Sequence, residues 1–149
     1  MLVVGSDHGG YELKMAILEL LQKRAVECAD FGTDGPDSVD YPDFAAKVAT
    51  AVSSGEAELG ILICGTGIGM SISANKFANV RAALVHDEFT AQMAREHNNA
   101  NILVMGGRVL TPDQGKKFVE IWLDSEFEGG RHQSRLDKIS AIEQQVISI

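Results

Sequence analysis

The chain predicts an α/β protein: a five-stranded parallel sheet with helices on both faces. Short apolar runs alternate with helical patterns five times along the sequence. The third run, "LGILIC" (59–64), is apolar throughout, as strands covered on both faces are. No repeat or low-complexity stretch interrupts the alternation. A length of 149 residues suits one domain, 1–149, and a chain of this size buries roughly two-thirds of its unfolded surface.

Each element has its own warrant. "LVVGSD" (2–7) is a buried strand by length and composition. "GYELKMAILELLQKR" (10–24) carries Leu13, Ile17, Leu20 and Leu21 at helical spacing. "VECADFG" (26–32) is the second strand, with Cys28 expected in the core, and "TDGPDSVDYP" (33–42) is a turn-rich loop. "DFAAKVATAVSSG" (43–55) is a helix that stops at Gly55. After the third strand come a helix over 68–77, the strand "RAALV" (81–85) and the helix "DEFTAQMAREH" (87–97). The strand "NILVMGG" (101–107) leads to the helix 111–125, with Thr111 as N-cap and Pro112 at its first position. Behind the "EGG" hinge (128–130), a last helix (131–149) carries Leu136, Ile139, Ile142 and Val146 on one stripe. This arm lies beyond the last β-α unit and is expected to pack on a partner subunit.

Composition narrows the function classes. Hydrophobic residues make up 45% and charged residues 23%, a globular balance. A net charge of −8 repels nucleic acid and anionic membrane, so neither is an expected partner. An anionic small ligand must instead be caught by a local cluster of Arg, Lys or His. Two cysteines make no disulfide framework. The opening "MLVVGSDHGG" reads as a strand rather than a signal peptide, and no apolar run approaches ~18 residues. A cytoplasmic location with reduced thiols is expected.

In a parallel sheet, ligands bind at the carboxyl ends of strands. Asp7, His8, Cys64 and the turn Gly65–Gly69 all fall there. Gly65, Gly67 and Gly69 let the backbone approach a ligand closely, and the helix behind them aims unpaired N–H groups at the turn. A cysteine in such a place favours its thiolate. A thiolate beside such donors suits nucleophilic attack, or proton abstraction next to a carbonyl. The bland alternative is that Cys64 is only the last buried residue of its strand. Asp7 is likewise either a ligand contact or a helix cap. His97, near a helix C-terminus, is placed to donate a proton to a departing sugar oxygen, while the asparagines of "EHNNAN" also serve as turn residues. Arg131 and Arg135, four apart, share a helix face and can grip one phosphate, with Arg108 as a third cation. Their alternative is a solvated helix start.

Dinucleotide binding is excluded, because the third glycine of G-x-G-x-x-G would fall on Met70 and the next strand ends in His86. Histidines 8, 86, 97 and 132 show no metal-ligand spacing, and no metal or other cofactor is expected. Ser–His–Asp catalysis lacks its G-x-S-x-G elbow.

"GSDHGG", "DYP", "CGTGIGMSISANK", "EHNNAN" and "EGGRHQSRLDKI", in that order, closely resemble the type B ribose-5-phosphate isomerases. These belong to a sugar-phosphate isomerase family that includes galactose-6-phosphate isomerase. The resemblance runs over nearly the whole chain. It implies a Rossmann-like three-layer α/β/α sandwich, a homodimer or homotetramer with sites shared between subunits, and metal-free interconversion of ribose 5-phosphate and ribulose 5-phosphate. Carried over by motif, Cys64 is the base that moves a proton between C2 and C1. Thr66 sits beside it, and Gly65, Gly67, Ile68 and Gly69 hold the enediolate. His97 opens the furanose ring and Asp7 contacts the sugar hydroxyls. His8, Arg131 and Arg135 bind phosphate, Arg108 and Asn98 assist, and Tyr41 lies near the sugar. Some relatives lack the cysteine and place a glutamate where this chain has Met70, so this is the cysteine type. A six-carbon sugar phosphate (allose or galactose 6-phosphate) and a non-catalytic phosphosugar-binding module remain the alternative readings.

Overall fold

A computed structural model describes residues 1–149. Strands β1 (Leu2–Ser6), β2 (Cys28–Asp30), β3 (Leu59–Cys64), β4 (Ala82–Leu84) and β5 (Ile102–Gly106) form one sheet in the order β2-β1-β3-β5-β4. Every pairing is parallel. The helices are α1 (Tyr11–Lys23), α2 (Tyr41–Ser53), α3 (Ile68–Ala74), α4 (Glu88–Glu96), α5 (Pro112–Asp124) and α6 (Arg131–Ile147).

Side-chain alternation sorts the sheet into two cores. Val4, Ile61, Ile63, Leu103 and Met105 pack with Leu13, Ile17 and Leu21 of α1, Ala91 of α4, and Phe118, Val119 and Trp122 of α5. Val3, Leu62, Cys64 and Val104 face the other way, onto Ala45, Val48, Ala49 and Val52 of α2 and Met70 and Ala74 of α3. The three-layer α/β/α sandwich expected from the sequence is therefore present. The chain leaves β1 in one direction to reach β2, then returns through α2 to β3 on the opposite side. That reversal makes the carboxyl ends of β1 and β3 a topological switch point, the place where parallel sheets bind ligands.

Several boundaries are tighter than the sequence pattern. The second strand shrinks to Cys28–Asp30 because it is a sheet edge with one neighbour only. Cys28, expected in the core, is half-buried there. The second helix starts earlier, at Tyr41, because Pro42 fits the first turn of a helix. The third helix ends at Ala74, and Asn75 turns its side chain to the Ala82 backbone, closing the connection to β4.

The first helix sits close over β3. A Cβ on Gly10 would lie 2.5 Å from the Ile63 carbonyl oxygen, and a backbone atom cannot swing aside. Gly10→Ala is expected to destabilise the fold by about 1–3 kcal/mol, the usual cost of overpacking, read as a lowered midpoint in thermal or urea unfolding.

The last helix differs from the others. It buries only His132 and Leu136. Ile139, Ile142, Val146 and Ile147 of the predicted stripe and its end are half or more exposed. One hydrogen bond, the Asn79 N–H donating to the Glu143 carboxylate at 2.7 Å, ties it to the turn before β4.

Candidate active site

Cys64 ends β3, at the edge of the sheet where parallel folds bind their ligands. Its side chain is 4% exposed, and its sulfur accepts the Gly67 N–H at 3.2 Å. Gly67 has φ of +82°, and a Cβ there would lie 2.5 Å from a Leu84 methyl and 3.0 Å from the Met105 backbone. Only glycine bends the chain this way, so the amide that meets the sulfur depends on it. Thr66 is exposed on the turn, its hydroxyl accepting the Ile68 N–H at 3.2 Å. The N–H groups of Gly69 and Met70, in the first turn of α3, have no intrahelical carbonyl and remain available to a ligand.

Asp7 follows β1 and is the lateral neighbour of Cys64: its N–H donates to the Ile63 carbonyl at 3.3 Å. One carboxylate oxygen accepts the Gly10 N–H at 3.1 Å, capping the short 3-10 turn His8–Gly10. The capping role is thus real, and it leaves the second oxygen for another partner. His8 Nδ1 accepts the Val39 N–H at 3.2 Å. In the neutral ring the proton then sits on Nε2, which makes His8 a hydrogen-bond donor on its free side. Tyr41 lies over Gly69, where an added Cβ would come within 2.5 Å of the phenol ring. Arg108 rests between two glycines: an added Cβ would stand 3.1 Å from its guanidinium at Gly65 and 3.4 Å at Gly9. Asp7, His8, Tyr41, Cys64, the 65–69 turn and Arg108 therefore form one group.

His97, Asn98, Arg131 and Arg135 form another. His97 ends α4, and the bonds Ala100 N–H to Ala94 and Asn101 N–H to Arg81 place this segment at the amino ends of β4 and β5. Cys64 lies at the opposite edge, paired with Gly106, roughly 15 Å along a five-residue strand. The Glu128 N–H donates to the Glu96 carbonyl at 3.0 Å and anchors the start of α6 beside His97. Arg131 and Arg135 project from the first turns of α6, exposed and without a carboxylate partner. Asn98 lines a cavity of about 250 Å³ with Arg81, Leu136 and Ile139. One chain thus holds these residues in two separate groups and does not bring them together.

Three residues near these groups escape sequence reasoning. His132 stacks on His97, with centroids 4.0 Å apart and planes 18° from parallel. Glu128 reaches both rings, at 3.8 Å from His97 Nε2 and 3.7 Å from His132 Nε2. Burial, then the neighbouring His97 and Arg131, lower the His132 pKa from its ordinary value, against the opposing pull of Glu128. The i,i+4 spacing of Glu128 and His132 was the available signal. Lys14, fully buried, bonds both oxygens of Asp30 at 2.8 and 2.9 Å and the Thr33 carbonyl. It fastens the start of the loop that carries Val39 to His8. A lysine among Leu13, Ile17 and Leu21 was its signal in the sequence.

The family described as Ribose/Galactose Isomerase matches residues 2–139. Ribose-5-phosphate isomerase B of Escherichia coli K12 is 49% identical over 140 residues, covering 94% of both chains. The structure of Clostridium thermocellum ribose-5-phosphate isomerase B superposes with a TM-score of 0.95 at 54% identity, covering 97% of this chain and 98% of that one. Ribose-5-phosphate isomerase B from Mycoplasma genitalium with bound ribulose-5-phosphate gives 0.93 at 46% identity, covering 96% and 95%. With the match running from the first strand into the last helix, this chain belongs to the ribose/galactose isomerase family.

Proposed function

We propose that the chain interconverts D-ribose 5-phosphate and D-ribulose 5-phosphate, as a homo-oligomer whose sites each combine the Cys64 group of one copy with the His97 group of another. One observation carries this reading. Cys64 sits against the Gly67 amide at the switch point of the sheet, beside the buried carboxylate of Asp7.

The reaction needs an acid, a base and a brace for the intermediate. His97 gives a proton to the ring oxygen as its bond to C1 breaks, and the C1 hydroxyl releases its proton to water, leaving the open-chain aldehyde. The Cys64 thiolate takes the C2 proton, and the electron pair shifts onto O1 to form an enediolate. The free amides of Gly69 and Met70, with the Thr66 hydroxyl, donate to its oxygens; such donors contribute about 3–4 kcal/mol each in a dry site. The proton on O2 then moves to O1, and the thiol returns its proton to C1 as the C2 carbonyl forms, giving the ketose. Asp7 accepts from the sugar hydroxyls and Tyr41 flanks the chain of carbons. His8 Nε2, Arg108 and the partner copy's Arg131 and Arg135 neutralise the phosphate, holding it away from the reacting carbons.

A second copy is supported by the separation of the half-sites and by the exposed face of α6. Its exposed isoleucines and Val146 lie on the same helix as the two arginines. Docking that stripe on another copy would carry the arginines with it.

A coupled assay with ribose 5-phosphate, before and after thiol alkylation, tests the activity. Turnover that alkylation abolishes supports it. Faster turnover of a six-carbon sugar phosphate would move the substrate assignment, and binding without turnover would make the chain a phosphosugar-binding module. His97→Ala is expected to slow ribose 5-phosphate by about 10²-fold or more, the usual scale of general-acid catalysis. A four-carbon aldose phosphate, which cannot close a furanose, should be affected far less. Equal losses on both would remove the ring-opening role.

A further inference from the structure

The sequence carries no H-x-x-x-H or C-x-x-C spacing, yet folding gathers two imidazoles and a carboxylate at the root of α6. The donor atoms of His97, Glu128 and His132 all lie within 4.8 Å of one another. We propose that these three side chains form an inhibitory site for a borderline divalent transition-metal ion of the zinc class.

The geometry is close to what such an ion requires. Three protein ligands and a water make an open tetrahedral site, with metal–nitrogen bonds of about 2.0–2.1 Å and donors therefore about 3.4 Å apart. The two His–Glu edges are already 3.8 and 3.7 Å. Both Nε2 atoms lie near Glu128, each facing a different oxygen of its carboxylate. Binding one ion rotates both rings out of their near-parallel stack, because the in-plane lone pairs of parallel rings do not converge. The backbone of each ligand is fixed. His97 caps α4, Glu128 is held by its bond to the Glu96 carbonyl, and His132 lies in the first turn of α6. Gly129 and Gly130, with φ of +66° and +55°, make the turn between the last two. His97 and Glu128 are open enough to solvent to admit an ion.

The surroundings select the class of metal. Arg131 and Arg135 flank the cluster and oppose any cation, so affinity must come from bonding to nitrogen rather than from charge. Magnesium and calcium, which take oxygen ligands, are disfavoured, while zinc, cobalt and nickel suit two imidazoles and a carboxylate. The inhibitory part rests on the ring-opening role proposed for His97. An ion on its Nε2 would occupy the nitrogen that has to carry the proton.

Cobalt(II) added to the metal-free, full-length protein is the probe. Visible d–d absorption of a tetrahedral ion, saturating at one equivalent per chain, is expected. It should persist in Cys64→Ser and vanish in both Glu128→Gln and His132→Gln; should the latter fail to fold, the exposed Glu128→Gln decides. Zinc should inhibit isomerisation reversibly, with EDTA restoring the rate. Glu128→Gln should raise the zinc needed for half-inhibition by at least about tenfold. Absorption that survives Glu128→Gln, or that disappears in Cys64→Ser, would place the ion elsewhere and overturn the site. Zinc bound at one equivalent without slowing turnover would overturn the inhibition. Turnover in EDTA tests the isomerase reading separately, because the cobalt spectrum does not depend on it.

Discussion

Cys64→Ala should reduce kcat by about 10²–10⁴-fold, the scale attributed to a positioned general base, while substrate binding stays nearly intact. The sulfur is small, sits at the end of a rigid central strand and touches the Gly67 amide. Its removal leaves a small gap in the core that β3 shares with α2 and α3. Isothermal titration with a non-reacting substrate analogue would confirm binding, and deuterium exchange at C2 would report the proton transfer itself. A mutant that exchanges the C2 proton at the parent rate would remove the thiol from the base role. A mutant that loses binding as well would instead make Cys64 a structural residue.

The paired change Arg131→Ala with Arg135→Ala should raise KM by about 10²-fold. Each charge-assisted bond to phosphate contributes at least about 1.5 kcal/mol, or roughly tenfold. The two arginines lie one helical turn apart and pair with no carboxylate of their own chain. Their charge is therefore free for a ligand in an otherwise acidic protein. Inhibition by inorganic phosphate should weaken in parallel. An unchanged KM would mean that both side chains face solvent in the working assembly.

Much of this arrangement is legible in the sequence. Strand–helix alternation gives the layers, and the position of Asp7 and Cys64 at strand ends gives the first of the two residue groups. Sheet order is not legible, because periodicity says which face a residue takes but not which strand lies beside it. Nothing in "RAALV" announces that β5 intervenes between β3 and β4. The stack of His97 on His132 joins positions far apart in the chain, so no local spacing reveals it. Lys14 shows a third kind of limit. Its charge interrupts an apolar stripe, but its partner, Asp30, comes from the neighbouring edge strand and appears only on folding. The expected cysteine in the core, Cys28, fails for a related reason. An edge strand buries less than a central one of the same composition.

The central claim is that catalysis needs the sulfur of one copy and the imidazole of another. Co-expressing Cys64→Ala with His97→Ala, each under its own affinity tag, tests it directly. Each variant alone should be nearly inactive. In the doubly purified mixed dimer, one of the two sites regains both wild-type groups, so roughly half of wild-type activity per dimer should return. A mixed dimer as inactive as its parents would contradict the shared site.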